Sequence, residues 1–504
     1  MAIPNITINK QSGLGRPLAG EDYKSGLLSY GTAPTGWSAD GVERFFSVED
    51  ATAKGLDGLS GDATAGTSDI QITGAGATGD VVTISVNELN SVITVIGSYT
   101  VQAADTADLI STGLTASINS ETYLTGYSAT SLTDTTTVTA PLNRGVGANS
   151  FTNTIAITGT VTAVTSVAWV GGVGSFWDVL TYHIAEYFRL QPKGDLSVGI
   201  FTAGSYDFAE VETMQTIAEG SLRQIAVYAP LRTLITNGTA DITNLQGQYN
   251  TLEALKRPVQ LVYASDMSAV TDLLTLPNLA TNNSHAVSAV IGQDGGQSGE
   301  FLYGAYGKSI TTLGAVLGCI ALSPVNETIA YRGKYNMSNG SNEIDTIAFA
   351  NGTKYRGVSS STISQLHSRT YVFQVKQQSL SGTYNVDSLT ATAPTEDLKD
   401  IESNRVLDKT LRSVDARFAP LIGVSVQLNA DGTLTEGAIQ TFLSTGKQVK
   451  DQMVRDGEIS DMEILIDPVQ DVLTTNEIVT TVKVLPKGNA KYLTVNIGYV
   501  TSLN

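Results

Sequence analysis

The stretches Phe176–Tyr187 (FWDVLTYHIAEY) and Leu196–Phe201 (LSVGIF) decide the fold, because their pattern recurs downstream. Phe176, Val179, Leu180, His183, Ile184 and Tyr187 share one helix face, and Pro192–Gly194 stops the helix. A short apolar strand follows. Helix Val211–Leu222 then precedes strand Ile225–Tyr228, and helix Ile242–Leu255 precedes strand Val259–Tyr263. A weaker helical stretch, Ala269–Leu279, precedes strand Ala286–Ile291. Helices alternating with short, continuously apolar strands predict an α/β layer around a central sheet. Ser298–Leu322 reads as a helical hairpin or a long broken helix.

Upstream, Gly26–Tyr30 and Val42–Phe46 read as strands and Val48–Gly55 as a short helix. In residues 1–20, Ile3, Ile6 and Ile8 suit an extended arm with little of its own to pack against. The composition breaks near residue 56. Between Gly55 and Phe188, Arg144 is the only Lys or Arg, and 24 of residues 61–170 are Thr. Val82, Ile84 and Val86 alternate with polar residues, as do Ile93 and Val95, and Ile155 and Ile157. Ala107, Ile110, Leu114 and Ile118 interrupt them at helical spacing, with Asp105 placed as N-cap. Residues 57–168 therefore read as an inserted β-rich module rather than a disordered linker.

Residues 323–385, rich in Asn, Gly and Ser, read as loop and edge structure with strands at Ile344–Phe349 and Tyr371–Val375. Thr395–Phe418 is predicted as an amphipathic helix with Leu398, Ile401, Leu411, Val414 and Phe418 on one side and Asp408–Arg412 as an i,i+4 pair. Strand Val424–Leu428, turn Ala430–Gly432, N-cap Thr435 and helix Glu436–Arg455 follow. Three strands close the chain, Met462–Ile466, Ile478–Leu485 and Tyr492–Val500, the last two as a hairpin about Pro486–Asn489. Leu493, Val495, Ile497 and Tyr499 line one face of the final strand.

At 504 residues the chain exceeds one ordinary domain. Its formal charge is −18, with 48 Asp+Glu against 30 Lys+Arg, which argues against direct nucleic-acid binding and against anionic membrane surfaces. One cysteine, Cys319, and three histidines, His183, His285 and His367, exclude a disulfide framework and speak against a Cys- or His-based metal centre. The start MAIPNITINKQSG lacks a signal-peptide pattern, and the apolar run at Leu313–Leu322 is too short to span a bilayer. A soluble protein made in a reducing cytoplasm is the expectation.

No catalytic motif completes itself. Gly307-Lys308-Ser309 resembles the end of a phosphate loop, but the glycine required five positions earlier is Leu302. His183 and Glu186 share a helix face with no second His near them. Asp431-Gly432 followed by Glu436 lacks the alternating oxygen ligands of a calcium loop. No G-x-S-x-G elbow occurs, and Cys319 sits among apolar residues. The expectation is no catalytic residue, no cofactor and no metal, hence a structural subunit rather than an enzyme. Strand-like segments at both ends suit pairing with another molecule.

Over residues 395–504 the order of helix with Arg405 and Arg412, GVSVQL, NADG, helix and VKVLPKGNAKYLTVNIGYV resembles the bacteriophage contractile-tail sheath proteins. GLLSYG near the start and the helix–strand repeats of 176–291 fit as well; residues 57–168 resemble the variable insertions on sheath outer surfaces. The resemblance implies a homo-oligomer of six-fold rings stacked helically around a tail tube protein, bounded by baseplate and tail terminator proteins. Subunits would exchange terminal strands, through Ile3, Ile6, Ile8, Leu493, Val495, Ile497 and Tyr499 here. Contraction would drive the tube through the host envelope. The particle would be a virion component assembled in the bacterial cytoplasm, without membrane insertion.

The fold expected is thus α/β and α+β multidomain, with central mixed sheet layers flanked by helices. It comprises an N-terminal arm (1–20), a body (21–56 and 169–385), the inserted module (57–168) and a C-terminal α/β domain (386–504) whose last residues, about 490–504, form the second arm. Lys447, Lys450 and Arg455 are the candidates for tube contact. Rival readings are a tube or baseplate subunit, a surface adhesin, which would need a secretion signal, and a carbohydrate-active enzyme using Asp178 and Glu186, which would need facing carboxylates.

Overall fold

The computed structural model describes residues 22–88, 93–491 and 493–494. The first strands are β1 (Lys24–Tyr30) and β2 (Val42–Phe45), followed by helix α1 (Val48–Ala53). The chain then leaves for a separate unit built of β3 (Thr67–Gly74), β4 (Val81–Asn87), β5 (Ile93–Thr100), α2 (Ala107–Ser120), α3 (Thr122–Thr125), β6 (Ser128–Leu132), β7 (Thr135–Thr139), β8 (Thr152–Thr158) and β9 (Thr162–Val170). It returns through α4 (Phe176–Leu190), β10 (Asp195–Phe201), α5 (Glu210–Ile217), β11 (Gln224–Thr233), α6 (Leu234–Ala254), β12 (Gln260–Asp266), β13 (Val287–Val290), β14 (Gly292–Asp294), α7 (Ser298–Tyr306) and α8 (Leu313–Leu322). Next come β15 (Ile347–Phe349), α9 (Ser360–Ser368), β16 (Tyr371–Val372), β17 (Gln374–Val375) and β18 (Tyr384–Asn385). The last part holds α10 (Ile401–Phe418), α11 (Glu436–Arg455), β19 (Ile459–Ile466), α12 (Val472–Thr475) and β20 (Thr480–Pro486).

The main sheet has the order β16-β13-β12-β11-β1-β10-β2, and only β2 runs antiparallel to its neighbour. Its strands are buried along almost their whole length, because helices cover both faces. Period two sorts the side chains. Leu27, Val198, Tyr228 and Val262 meet α4 and α8 on one face. Leu28, Val227, Tyr263 and Val287 meet α5 and α6 on the other. Helices α4 and α8 touch backbone to backbone: a Cβ on Gly314 would lie 2.1 Å from the His183 carbonyl oxygen, and one on Gly318 2.6 Å from that of Tyr187.

The β-rich unit is wholly antiparallel, with sheets β6-β7-β3-β9 and β5-β4-β8. Ile70, Val82, Ile84, Val86, Ile110, Leu114, Val138, Phe151 and Trp169 form its own core. Its entry and exit meet in the Thr64–Val173 bridge. It rests on α7 through a seam where Cβ atoms on Gly145 and Gly174 would come within 2.2 and 2.4 Å of the Ala305 oxygen. Arg144 pairs with Glu88 at 2.8 Å and lies over the Phe301 ring in that seam.

Several expectations need correction. Thr106, not Asp105, caps α2; the Asp105 carboxylate instead accepts from the Gln102 amide and the Tyr99 hydroxyl. Ile93 and Val95 alternate but are exposed, and Ile96 and Gly97 are the buried residues of that strand. Ala269–Leu279 forms no α-helix: Asp272 and Asn278 bond amides two residues on and make short 3-10 turns. Helix α6 begins at Leu234, ahead of the expected Ile242, and α5 ends at Ile217, before the left-handed Gly220. Segment 323–385 contributes an unforeseen helix, α9, while its expected strands are present in shortened form as β15, β16 at the edge of the main sheet, and β17. Helix α10 starts at Ile401, not Thr395, because Leu389 and Asp400 form a bridge that holds the preceding chain extended. Val424–Leu428 is not a strand; only Leu428 bridges, to Leu434. Strand β20 pairs with β19, while most of its expected partner, Tyr492 and Val495–Val500, lies outside the described residues.

Gly314→Ala is expected to destabilise by about 2 kcal/mol or more, since rigid backbone opposes the new methyl. Gly247→Ala, in open space on α6, is expected to stabilise by about 0.5–1 kcal/mol. Urea denaturation of the two variants checks the contrast.

Candidate functional site: a buried polar junction on helix α10

Helix α10 reverses the usual pattern. Asn404, Arg405, Asp408 and Lys409 are buried, whereas Leu407 is 41% exposed. The stripe Ile401, Arg405, Asp408 and Arg412 follows helical spacing and faces the body. Buried charges need partners, and each finds some. Arg405 donates to the Ser323 hydroxyl at 2.9 Å and the Ser323 carbonyl at 3.2 Å. Arg412 donates to the Pro258 carbonyl rather than closing a hydrogen-bonded pair with Asp408. Asp408 accepts from the Tyr249 hydroxyl of α6 at 2.8 Å. Asn404 bridges to His285 Nδ1 at 2.7 Å. Lys409 pairs with Asp22 at 2.7 Å and with Glu458, just ahead of β19.

A second cluster lies at the helix start. The Lys491 ammonium reaches Asp387 at 2.6 Å, Asp400 at 2.5 Å and Glu402 at 3.5 Å. The far oxygen of Asp387 meets His367 Nε2 at 3.1 Å.

These surroundings set the protonation states. Burial pushes the Asp408 carboxyl up to about 6, with Arg412 and the Tyr249 hydroxyl offsetting only part of it. Burial raises Glu458 and Glu402 as well. At Asp387 burial is outweighed by His367 and Lys491, which hold its carboxyl down to about 2. At Asp22 burial is likewise outweighed, by Lys409 with Arg405 and Arg412 beyond it, and the carboxyl lies below its ordinary value.

The motifs weighed in the sequence have structural employment. His183 is wholly buried between Tyr182 and Tyr228, and burial pushes its imidazole down to about 3. Glu186 pairs with Arg189 at 2.6 Å, and Asp178 accepts from the Ser60 amide and hydroxyl. Gly307 is the left-handed C-cap of α7, Lys308 pairs with Asp266 at 3.0 Å, and Ser309 donates to the Ala350 carbonyl. Burial pushes the Cys319 thiol up to about 12. Asp431 accepts from Thr433 in the turn before α11.

Of the arm residues, Ile3, Ile6, Ile8, Val495, Ile497 and Tyr499 lie outside the described residues, and Leu493 is 87% exposed. Lys447 and Arg455 are exposed on α11, while Lys450 pairs with Asp461 at 2.6 Å. The polar junction itself was missed in the sequence. Its signal was available in the spacing of Arg405, Asp408 and Arg412, three charged residues on one helical stripe.

The family described as DUF2586, C-terminal domain, matches residues 397–504. No curated protein matches the chain. Similar solved structures come from contractile systems. A chain of the six-fold symmetrised anti-feeding prophage baseplate is 10% identical, with a TM-score of 0.43 over 65% of this chain and 87% of its own. A chain of the contracted sheath complex of the extracellular contractile injection system PVC is 10% identical, with a TM-score of 0.41 over 64% of this chain and 81% of its own. The sheath tail protein from Listeria innocua is 13% identical, with a TM-score of 0.38 over 92% of this chain and 95% of its own.

The raised Asp408 gives a signed pH dependence. Between its ordinary 3.8 and about 6 the folded chain keeps a proton that the unfolded chain has released. Stability from this group is therefore present below that window and lost as pH rises through it, by about 2–3 kcal/mol. Asp387 has the opposite sign, its contribution being lost as pH falls from 3.8 towards 2. Urea midpoints compared from pH 4 to 7 should fall more steeply with rising pH for the unaltered chain than for Asp408→Asn, which lacks the ionisable carboxyl.

Proposed function

We propose that this chain is the structural subunit of a phage contractile-tail sheath, which polymerises around a tail tube and shortens to drive it through the host envelope. One observation carries the reading: among the described residues, β19 and β20 pair only with each other. A two-stranded sheet is marginal alone, and its outer edges are templates for further strands. Its inner face is well made, with Val449 and Met453 of α11 packed in one cluster with Ile459 and Met462 and with Ile464, Val482 and Val484 against it, so the edges are presented on a firm support. The alternating termini read from the sequence are the strands such edges would take from neighbouring copies. Each added strand would contribute several backbone hydrogen bonds at about 0.5–1.5 kcal/mol apiece.

The remaining assignments belong to the same reading. Residues 57–168 form an outward module dispensable for assembly. Residues 386–504 lie nearest the tube, with Lys447 and Arg455 facing it and Lys450 tied back to Asp461. Stored energy would reside in the packing of subunits, without turnover or bound cofactor.

Removing residues 1–20 is expected to leave a folded monomer that no longer sediments as polymer; normal tubes from the truncated chain would refute the arm model. Deleting residues 65–172 and joining Thr64 to Val173, which already bridge, is expected to leave hollow tubes visible in negative stain. Loss of polymer from a folded deletion chain would count against an outward module.

A further inference from the structure

The described chain reaches α10 from both of its ends. Asp22 stands at the N-terminal root: its carboxylate pairs with Lys409 at 2.7 Å, and its carbonyl accepts from Gln224 Nε2 at 3.0 Å. At the other end the β19–β20 ladder finishes with Pro486 opposite Ile459. The chain then crosses to the body, where the Asn489 amide donates to the Asn326 carbonyl at 3.2 Å. Lys491 follows, its side chain 19% exposed. Its ammonium has three protons, and Asp387 at 2.6 Å, Asp400 at 2.5 Å and the Ser388 hydroxyl at 3.1 Å supply three acceptors. Asp400 is the N-cap residue of α10, and Asp387 is tied in turn to His367 of α9. The two roots therefore sit on one helix, from Asp400 to Lys409, separated by roughly 14 Å at 1.5 Å per residue.

We propose that α10 is the common anchor of both chain ends, clamped by Lys409 at one root and by Lys491 at the other. A pull on either terminal segment by a second copy of this chain is delivered to α10 and the body, and on the C-terminal side it is taken up there before it reaches the hairpin β19–β20. The force path rests on the strand-arm reading above; the anchor does not. The socket around Lys491 is built for a cation: Asp387, Asp400 and Glu402 crowd three carboxylates into one place, and without an ammonium they repel each other. The Lys409 clip is of the same kind, one ammonium between Asp22 and Glu458, so that it joins the N-terminal root to the start of β19 as well as to α10.

The test uses the full chain, unassembled, with backbone hydrogen exchange as readout. Lys491→Met should speed exchange at residues 487–491 at least tenfold while β11 and β12 stay unchanged; unchanged exchange at 487–491 overturns the anchor. Where the variant unfolds globally, seen as fast exchange in β11 and β12, the neutral-socket chain Lys491→Met/Asp387→Asn/Asp400→Asn is read by the same criterion. Lys409→Met should act likewise on residues 22–24. In the polymer, Lys491→Met should lower the urea concentration of dissociation, and an unchanged midpoint overturns the force path. If the unaltered chain forms no polymer, the sheath reading and the force path fail together, and the exchange result still decides the anchor.

Discussion

Taking an ammonium or a carboxylate out of water costs several kcal/mol, a cost offset only when partners of opposite charge and hydrogen-bonding groups are already in place. Helix α10 is built on that constraint. Arg405, Asp408, Lys409 and Arg412 enter the interface between the body and the last part of the chain, and Lys491 closes it from the far side. An apolar stripe could slide by a turn and still bury its area. A lysine held between Asp22 and Glu458 cannot, because one step along the helix leaves three charges unpaired. The position of the C-terminal hairpin relative to the main sheet follows from this register.

The main sheet obeys a different rule. Six parallel strands expose apolar residues on both faces, so helices must cover both. On one face this brings α8 against α4 so closely that only glycine fits at 314 and 318. The same device recurs where the β-rich unit meets α7, at Gly145 and Gly174. Small residues thus set two close backbone approaches, and charges set a third contact, at α10. The first two are rigid seams. The third can respond to protonation, since burial raises the Asp408 carboxyl to about 6.

The polar side chains that looked most chemical are spent on architecture. His183 fills an aromatic gap, Glu186 neutralises Arg189, and Lys308 and Ser309 tie the turn after α7 to Asp266 and Ala350. What the described surface offers instead is a short sheet with unpaired edges and, beside it, the roots of both chain ends. On the proposed reading, these edges would take strands from neighbouring copies.

Local pattern was sufficient for much of this. The continuous apolar runs at 196–201, 225–228 and 259–263 became the buried strands β10, β11 and β12, and Thr435 caps α11 over the span read for it. Those readings held because a helical or strand period reports on one element and one face, and nearby residues settle it. Ala269–Leu279 failed because Asp272 and Asn278 satisfy nearby amides through their side chains, a competition that periodicity does not register. Val424–Leu428 failed because a strand needs a neighbour, and only Leu428 finds one. The polar face of α10 was the largest surprise: of the apolar side read for it, Ile401 is buried and Leu411, Val414 and Phe418 are half-buried, but Arg405, Asp408 and Lys409 are buried as well. A charge is tolerable in a core only if its partners arrive from elsewhere, and those of α10 come from Asp22, Tyr249, Ser323 and Glu458, distant in the chain. Sequence by itself determined the helix–strand alternation of the body and helix α11; tertiary structure decided which charges were buried, because only the folded chain brings their partners within reach.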